Sequence, residues 1–301
     1  MTPSPLLLEA HGLSKAFHGG TVAVDHLDLE IRRGEVYGFL GPNGAGKTTT
    51  IRMLLGLIRP TSGSATVAGA SPGSTTSLAR VGSMVEAPAF YGNLSGRDNL
   101  RYCARLCRLP DRRVDEVLDE VGLVARGRHR YTAYSLGMQQ RLGVAAALLK
   151  DPELLLLDEP ANGLDPQGIV DMRDLVRRLG QGERTVLLCS HLLSEVEHVC
   201  DRIGVLRNGR KIAEGTLAEL RGTGGLIVRA HPQAEVRADL VQLVGEQAVS
   251  ERDGAFHLAV DPARAGELAT ALAQAGRVVT ELRTEQRSLE DVFLELTEES
   301  K

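Results

Sequence analysis

Gly41-Pro42-Asn43-Gly44-Ala45-Gly46-Lys47-Thr48, followed by Thr49, satisfies G-x-x-x-x-G-K-[ST], and its surroundings decide the fold. The chain's own composition gives about 0.06 chance hits for the Gly, Gly and Lys positions of that pattern. Lysine is scarce, occurring only at positions 15, 47, 150, 211 and 301, so Lys47 carries weight. The apolar run Val36 to Leu40 precedes the motif, and Ile51, Met53, Leu54, Leu55 and Leu57 follow it at helical spacing as far as Pro60. The order is strand, glycine loop, helix. Glycines there let successive backbone N–H groups turn toward a phosphate, and the helix adds its positive dipole end. Lys47 then reaches the β and γ oxygens, and Thr48 can coordinate Mg2+. The competing reading is a plain glycine turn before a helix, without a ligand.

Further along, Leu154-Leu155-Leu156-Leu157-Asp158-Glu159 reads as a buried strand that delivers Asp158 to the Mg2+ side of the phosphate site. A core strand ending in two solvated acids would look the same in isolation. Downstream of the glycine loop, Glu159 becomes the candidate base or water-orienting group, because an attacking water must lie in line behind the γ-phosphate.

The rest of the first 222 residues fits around these two strands. Val24, Leu27, Leu29 and Ile31 alternate as a half-buried strand, imperfect at His26. Val81 to Val85 reads as a strand, Leu94 to Leu109 as a helix entered by Ser95, and Asp111 to Val121 as a second helix beyond Pro110. Pro166 to Leu179 is an amphipathic helix, Val186 to Cys189 a buried strand and Leu192 to Cys200 a helix. The opening strands read as mixed or antiparallel, and the alternating strands and helices after them imply a parallel sheet, so a mixed α/β sheet is expected. Asn208-Gly209 between two short apolar runs is a hairpin signal.

After Gly222 to Gly225 the pattern becomes β-α-β-β-α-β, a split βαβ, ferredoxin-like order, closed by a helix over 288–297 with Ser288 and Asp291 as a capping box. The expected organisation is therefore an α/β domain over 1–222, with a helical subdomain at about 92–150, and a small α+β domain over 223–301. A length of 301 residues agrees with about two domains.

Composition narrows the function classes. With 43% hydrophobic and 25% charged residues the chain is globular, and a net charge of -4 argues against a whole-surface nucleic-acid binder. No apolar run reaches the eighteen residues that span a bilayer, and a cytosolic location is expected. Four cysteines (103, 107, 189, 200) without a C-x-x-C pair are read as reduced. His198 and Cys200 lack the tight four-ligand set that zinc requires.

Tyr134-Ser135-Leu136-Gly137-Met138-Gln139-Gln140-Arg141 resembles the signature of ABC ATPases. Ala161-Asn162-Gly163-Leu164-Asp165-Pro166 looks like their D-loop and Ser190-His191 their switch histidine, all in family order. The resemblance covers Leu7 to about Gly215. It implies ATP and Mg2+ as ligands, with Phe17 stacked on adenine where a tyrosine is more usual, and His191 at the γ-phosphate. Ser135, Gly137 and Asp165 are implied to complete an ATP site held by a second subunit. One glycine loop and one signature then call for a homodimer, or a pairing with a similar subunit, around two shared ATP molecules.

Two departures refine the likeness. Leu136 and Met138 replace a common Gly and Gln in the signature. Glu86, in Val85-Glu86-Ala87-Pro88-Ala89-Phe90-Tyr91, stands where the family usually has Gln. That loop conventionally touches Mg2+ or the attacking water and borders the permease surface; an ordinary solvated acid is the other reading. Together with the tail Ser288 to Thr297, it resembles ATPases of ABC-2 type drug, bacitracin and lantibiotic-immunity exporters. The implied function is ATP hydrolysis for a bacterial exporter whose spanning permease is a separate polypeptide, at the cytoplasmic face of the membrane. A soluble ABC ATPase acting on nucleic acid or ribosomes is the alternative. Against it, only 88 positions separate Lys47 from Ser135, too few for a long coiled coil. The second domain is read as dimer-stabilising packing or as a regulatory ligand site.

Overall fold

The computed structural model describes residues 5–86, 88–182, 184–222, 224–285, 288–290 and 292–293. It divides into two compact units, Met1–Glu214 and Gly215–Lys301.

The first unit opens with β1 (Leu6–Ala16) and β2 (Val22–Arg32), antiparallel to one another. The register slips between Leu13↔Leu27 and Lys15↔Val24, and His26 has φ +51°. The residue that breaks the alternation is thus the site of a bulge. Next come β3 (Val36–Leu40), α1 (Lys47–Leu54), β4 (Ser62–Val67), α2 (Thr75–Arg80) and β5 (Val81–Met84). β4 adds to β1, giving a three-stranded antiparallel sheet in the order β2-β1-β4.

The helical subdomain holds α3 (Gly96–Leu106), α4 (Asp111–Glu120) and α5 (Leu136–Leu148). Ser95 caps α3 by accepting the Asp98 N–H, one of the donors a helix start leaves without a partner. Then follow β6 (Leu154–Asp158), α6 (Pro166–Gly180), β7 (Thr185–Ser190), α7 (Leu193–Val199), β8 (Arg202–Arg207) and β9 (Arg210–Gly215). The main sheet has the order β5-β6-β7-β3-β8-β9, and β5 to β8 are parallel. β6 is buried along its whole length, as a parallel strand covered on both faces must be. Asn208 and Gly209 both have positive φ, the geometry a two-residue hairpin turn needs between β8 and β9.

One core ties both sheets to α1. Leu8, Leu13, Leu27 and Ile31 of the antiparallel sheet share a cluster with Phe39, Ile51, Leu156 and Leu187. Burying each such side chain contributes roughly 1.5–3 kcal/mol, so the cluster fixes the strand ends on which the site is built.

The second unit contains α8 (Leu217–Arg221), β10 (Gly225–His231), α9 (Gln233–Val244), β11 (Val249–Arg252), β12 (Ala255–Leu258), α10 (Ala265–Gln274) and β13 (Val278–Glu285). Its antiparallel sheet runs β11-β12-β10-β13, with Leu226, Val228, Val236, Leu240, Phe256, Leu258, Leu268 and Leu272 as core. The division falls ahead of the expected residue 222, because α8 belongs with this unit; Thr216 and Glu219 close its start as a capping box. The expected closing helix over 288–297, with its Ser288–Asp291 box, lies largely outside the described residues. Leu289 and Val292 within it are buried.

Candidate active site

The glycine loop runs from the end of β3 into α1, between the carboxyl ends of parallel neighbours β7 and β8. Crevices at such strand ends are where open α/β sheets receive ligands. Two glycines are required by crowding. A Cβ on Gly41 would meet the Leu206 carbonyl oxygen at 2.5 Å, and one on Gly46, whose φ is +107°, would strike the Ala23 carbonyl oxygen. Pro42, Asn43 and Gly44 are exposed at the tip, while Ala45, Gly46 and Lys47 are buried. Thr49, in the first turn of α1, is half-buried.

Lys47 is 5% exposed, an unusual place for an ammonium group. It donates to the carbonyl of Gly41 at 2.5 Å and lies 3.1 Å from Oε1 of Glu159. Thr48 donates its hydroxyl to Oδ2 of Asp158 at 2.7 Å. The other Asp158 oxygen is buried and makes no hydrogen bond among the described residues. Burial pushes the Asp158 carboxyl up, the Thr48 hydrogen bond opposes this, and Glu159 and Lys47 act in opposite directions. An orphan carboxylate oxygen beside a threonine hydroxyl is a donor set that suits a hard cation such as Mg2+. No group of three or more His, Cys, Asp or Glu side chains placed to hold a metal ion by themselves occurs among the described residues.

Glu159 follows β6 in the left-handed region at φ +51°, its N–H donated to the Cys189 carbonyl at 2.9 Å. Such a backbone costs of order 1–3 kcal/mol in a residue that is not glycine, and the surrounding structure must hold it there. Its carboxylate has one oxygen toward Lys47 and the other 2.7 Å from Nδ1 of His191. Lys47, Thr48, Asp158, Glu159 and His191, drawn from α1, β6 and the end of β7, therefore form one connected cluster.

The other expected site residues make their described hydrogen bonds and ion pairs elsewhere. Ser135 caps α5 by accepting the Met138 N–H at 3.4 Å. Gly137 sits within the first turn of α5, near Leu164. The Asp165 carboxylate accepts the Gly168 N–H at 2.9 Å and caps α6, whose start Pro166 favours. Phe17 is 44% exposed at the turn after β1, with the Lys15 ammonium 5.3 Å from its ring centre. An exposed ring under a cation is free to offer a face to a base. Glu86 was expected among the cation and water contacts. Its side chain is 62% exposed and ion-paired with Arg52, its φ is +63°, and its charge helps to push the Asp158 carboxyl up.

Two features escaped the sequence reading. Arg52 could have been found as the residue four beyond Thr48. Ser190 and Glu195 form a buried hydrogen-bonded pair beside His191, and Glu195 follows His191 at the same spacing of four.

The ABC transporter family profile matches residues 24–162. Over 212 residues the chain is 46% identical to the bacitracin transport ATP-binding protein BcrA of Bacillus licheniformis, which covers 69% of each chain. It is 39% identical over 292 residues to the daunorubicin resistance ATP-binding protein DrrA3 of Streptomyces coeruleorubidus, covering 93% of this chain and 92% of that one. Among solved structures, an ATP-binding subunit of an ABC transporter is similar at a TM-score of 0.63 and 31% identity, over 71% of this chain and 92% of that one. The glycine loop, the acidic strand end and these likenesses agree: the chain belongs to the ABC transporter family, among its ATP-binding subunits.

Proposed function

We propose that the chain hydrolyses ATP to drive a bacterial exporter of antibiotics, drugs or antimicrobial peptides. The observation that carries the chemistry is the Lys47–Glu159–His191 chain of contacts beside the Thr48–Asp158 pair. The names of the bacitracin and daunorubicin relatives support the cargo class and favour transport over a nucleic-acid or ribosome role.

Mg2+, when bound with ATP, would supply charge neutralisation at the phosphates. Thr48 and Asp158 are the residues that would hold it. Lys47 binds phosphate oxygens, and the backbone N–H groups of residues 41–48 orient them. Glu159 holds or accepts a proton from the attacking water, and His191 fixes the Glu159 carboxylate while its ring faces the γ-phosphate. Phe17 offers its ring to adenine.

Ser135, Gly137 and Asp165 lie on helix starts with no described hydrogen bond or ion pair to that cluster, which supports their acting on ATP held by a second copy. The working form is then a homodimer with two shared ATP sites, which closes on ATP and opens after hydrolysis. No helix among the described residues is long and apolar enough to cross a membrane. Separate permease subunits would provide the path, with this chain peripheral at the cytoplasmic face. The unit from residue 215 onward would serve as a ferredoxin-like accessory domain, for dimer packing or regulation.

The test is to find a multi-spanning permease encoded near this chain, co-purify the two, and reconstitute them into vesicles. ATP-dependent efflux of a peptide antibiotic or drug, lost in Glu159→Gln, is expected. A chain that hydrolyses ATP but captures no permease would overturn the transport reading.

A further inference from the structure

Beside His191 stands a buried polar pair that ATP binding does not use. Glu195 is 5% exposed and lies in the first turn of α7. Its Oε2 accepts the Ser190 hydroxyl at 2.6 Å, and the Ser190 oxygen accepts the Leu192 N–H at 3.0 Å. Ser190 is fully buried at the end of β7, and its carbonyl accepts the Gly41 N–H at 3.4 Å. One carboxylate thus anchors the residues on both sides of His191, whose own ring lies 2.7 Å from Glu159.

Glu195 is also costly to keep. Its second oxygen is buried without a hydrogen bond among the described residues, and burial pushes its carboxyl up. Met172, Val176, Leu188 and Val199 line the same small cavity together with Arg173, so an apolar side chain in place of the acid would meet mostly apolar neighbours there. Leu192, the N-cap residue of α7, makes no side-chain capping bond. What the acid does fix is the backbone bearing His191.

We propose that Glu195 is a positioning residue for ATP hydrolysis, acting through the Ser190 hydroxyl to hold His191 within hydrogen-bond distance of Glu159. The inference rests on reading Glu159 and His191 as the hydrolytic pair. Catalytic groups must be held to a fraction of an ångström, and a displacement of about 1 Å can cost roughly 100-fold in rate.

Steady-state ATPase kinetics of the full chain test it. Ser190→Ala and Glu195→Leu should each lower kcat by roughly 10- to 100-fold with KM unchanged. Glu195→Gln keeps an oxygen that can accept the Ser190 hydroxyl and should restore most of the rate. In a His191→Ala background, Ser190→Ala should cause no further loss, whereas a residue that merely stabilises the fold would add its own. If Glu195→Leu does not fold, Ser190→Ala alone carries the result. Wild-type kcat in Ser190→Ala, or additive losses in the double variant, overturns the inference while leaving the hydrolytic pair intact. A His191→Ala chain with undiminished turnover overturns the pair itself.

Discussion

The ammonium of Lys47 stands 3.1 Å from Oε1 of Glu159, so the cation assigned to phosphate and the acid assigned to water share one contact. With His191 on the other carboxylate oxygen, the three side chains act as a unit. Lesions within it should be strongly non-additive.

Lys47→Ala removes a buried charge from the phosphate site. Hydrogen bonds to charged groups contribute about 1.5–3 kcal/mol, so ATP affinity should fall by roughly 10- to 100-fold. Calorimetric titration with a non-hydrolysable analogue measures this; unchanged affinity would count against the glycine loop as the nucleotide site.

If two copies share their ATP sites as proposed, a mixed dimer of Lys47→Ala and Ser135→Arg chains would carry both lesions in one site. The other site would stay whole, and ATPase activity above that of either homodimer is expected. Ser135→Arg chains that hydrolyse ATP at full rate as monomers would refute the shared-site arrangement.

Glu153 gives a pH dependence with a definite sign. Arg80, bound through two N–H groups, and Arg33 hold its carboxyl down to about 2 from an ordinary 4.5. A depressed acid stabilises the fold above its unfolded value, and that contribution is lost as pH falls from about 4.5 toward 2. With the side chain 33% exposed, screening limits the pair to about 1 kcal/mol, or about 2–4 °C in Tm. Glu153→Gln should melt lower at pH 7, with the gap closing across that window. A gap independent of pH would assign the loss to packing.

Glu86→Gln should leave folding and ATP affinity in place, because an exposed ion pair to Arg52 contributes at most about 1 kcal/mol. What should change is the Mg2+ dependence of hydrolysis or its stimulation by permease, and Arg52→Ala should shift the same curves. Overlay of both variants on the wild type, with and without the membrane partner, would leave Glu86 an ordinary solvated loop residue.

How legible the molecule was depended on how local each signal is. The strand, glycine loop and helix around Lys47 declare themselves, because spacing and special residues lie within about twenty positions. Ser95 and Asn208-Gly209 announced a cap and a turn for the same reason. β4 did not: Ser62–Val67 is small, polar and mostly exposed, and only pairing with distant β1 makes it a strand. α5 hides its period because it is apolar on nearly all sides and carries Gly137 and Gly143. The Thr48–Asp158 contact followed from motif order, whereas Arg52 with Glu86 required the fold to bring two segments together. The cap made by Asp165 is legible in Asp165-Pro166, a helix-start pair.

Glu159→Gln tests the central claim most directly, with ATP binding and phosphate release measured on the same preparation. The amide should keep ATP affinity at or above the wild-type level, since Lys47 loses a competing anion. Hydrolysis should fall by roughly 100- to 10,000-fold, and an ATP-bound dimer should accumulate. Turnover near the wild-type rate would contradict the assignment of Glu159, and with it the chemistry built on the Lys47–Glu159–His191 cluster.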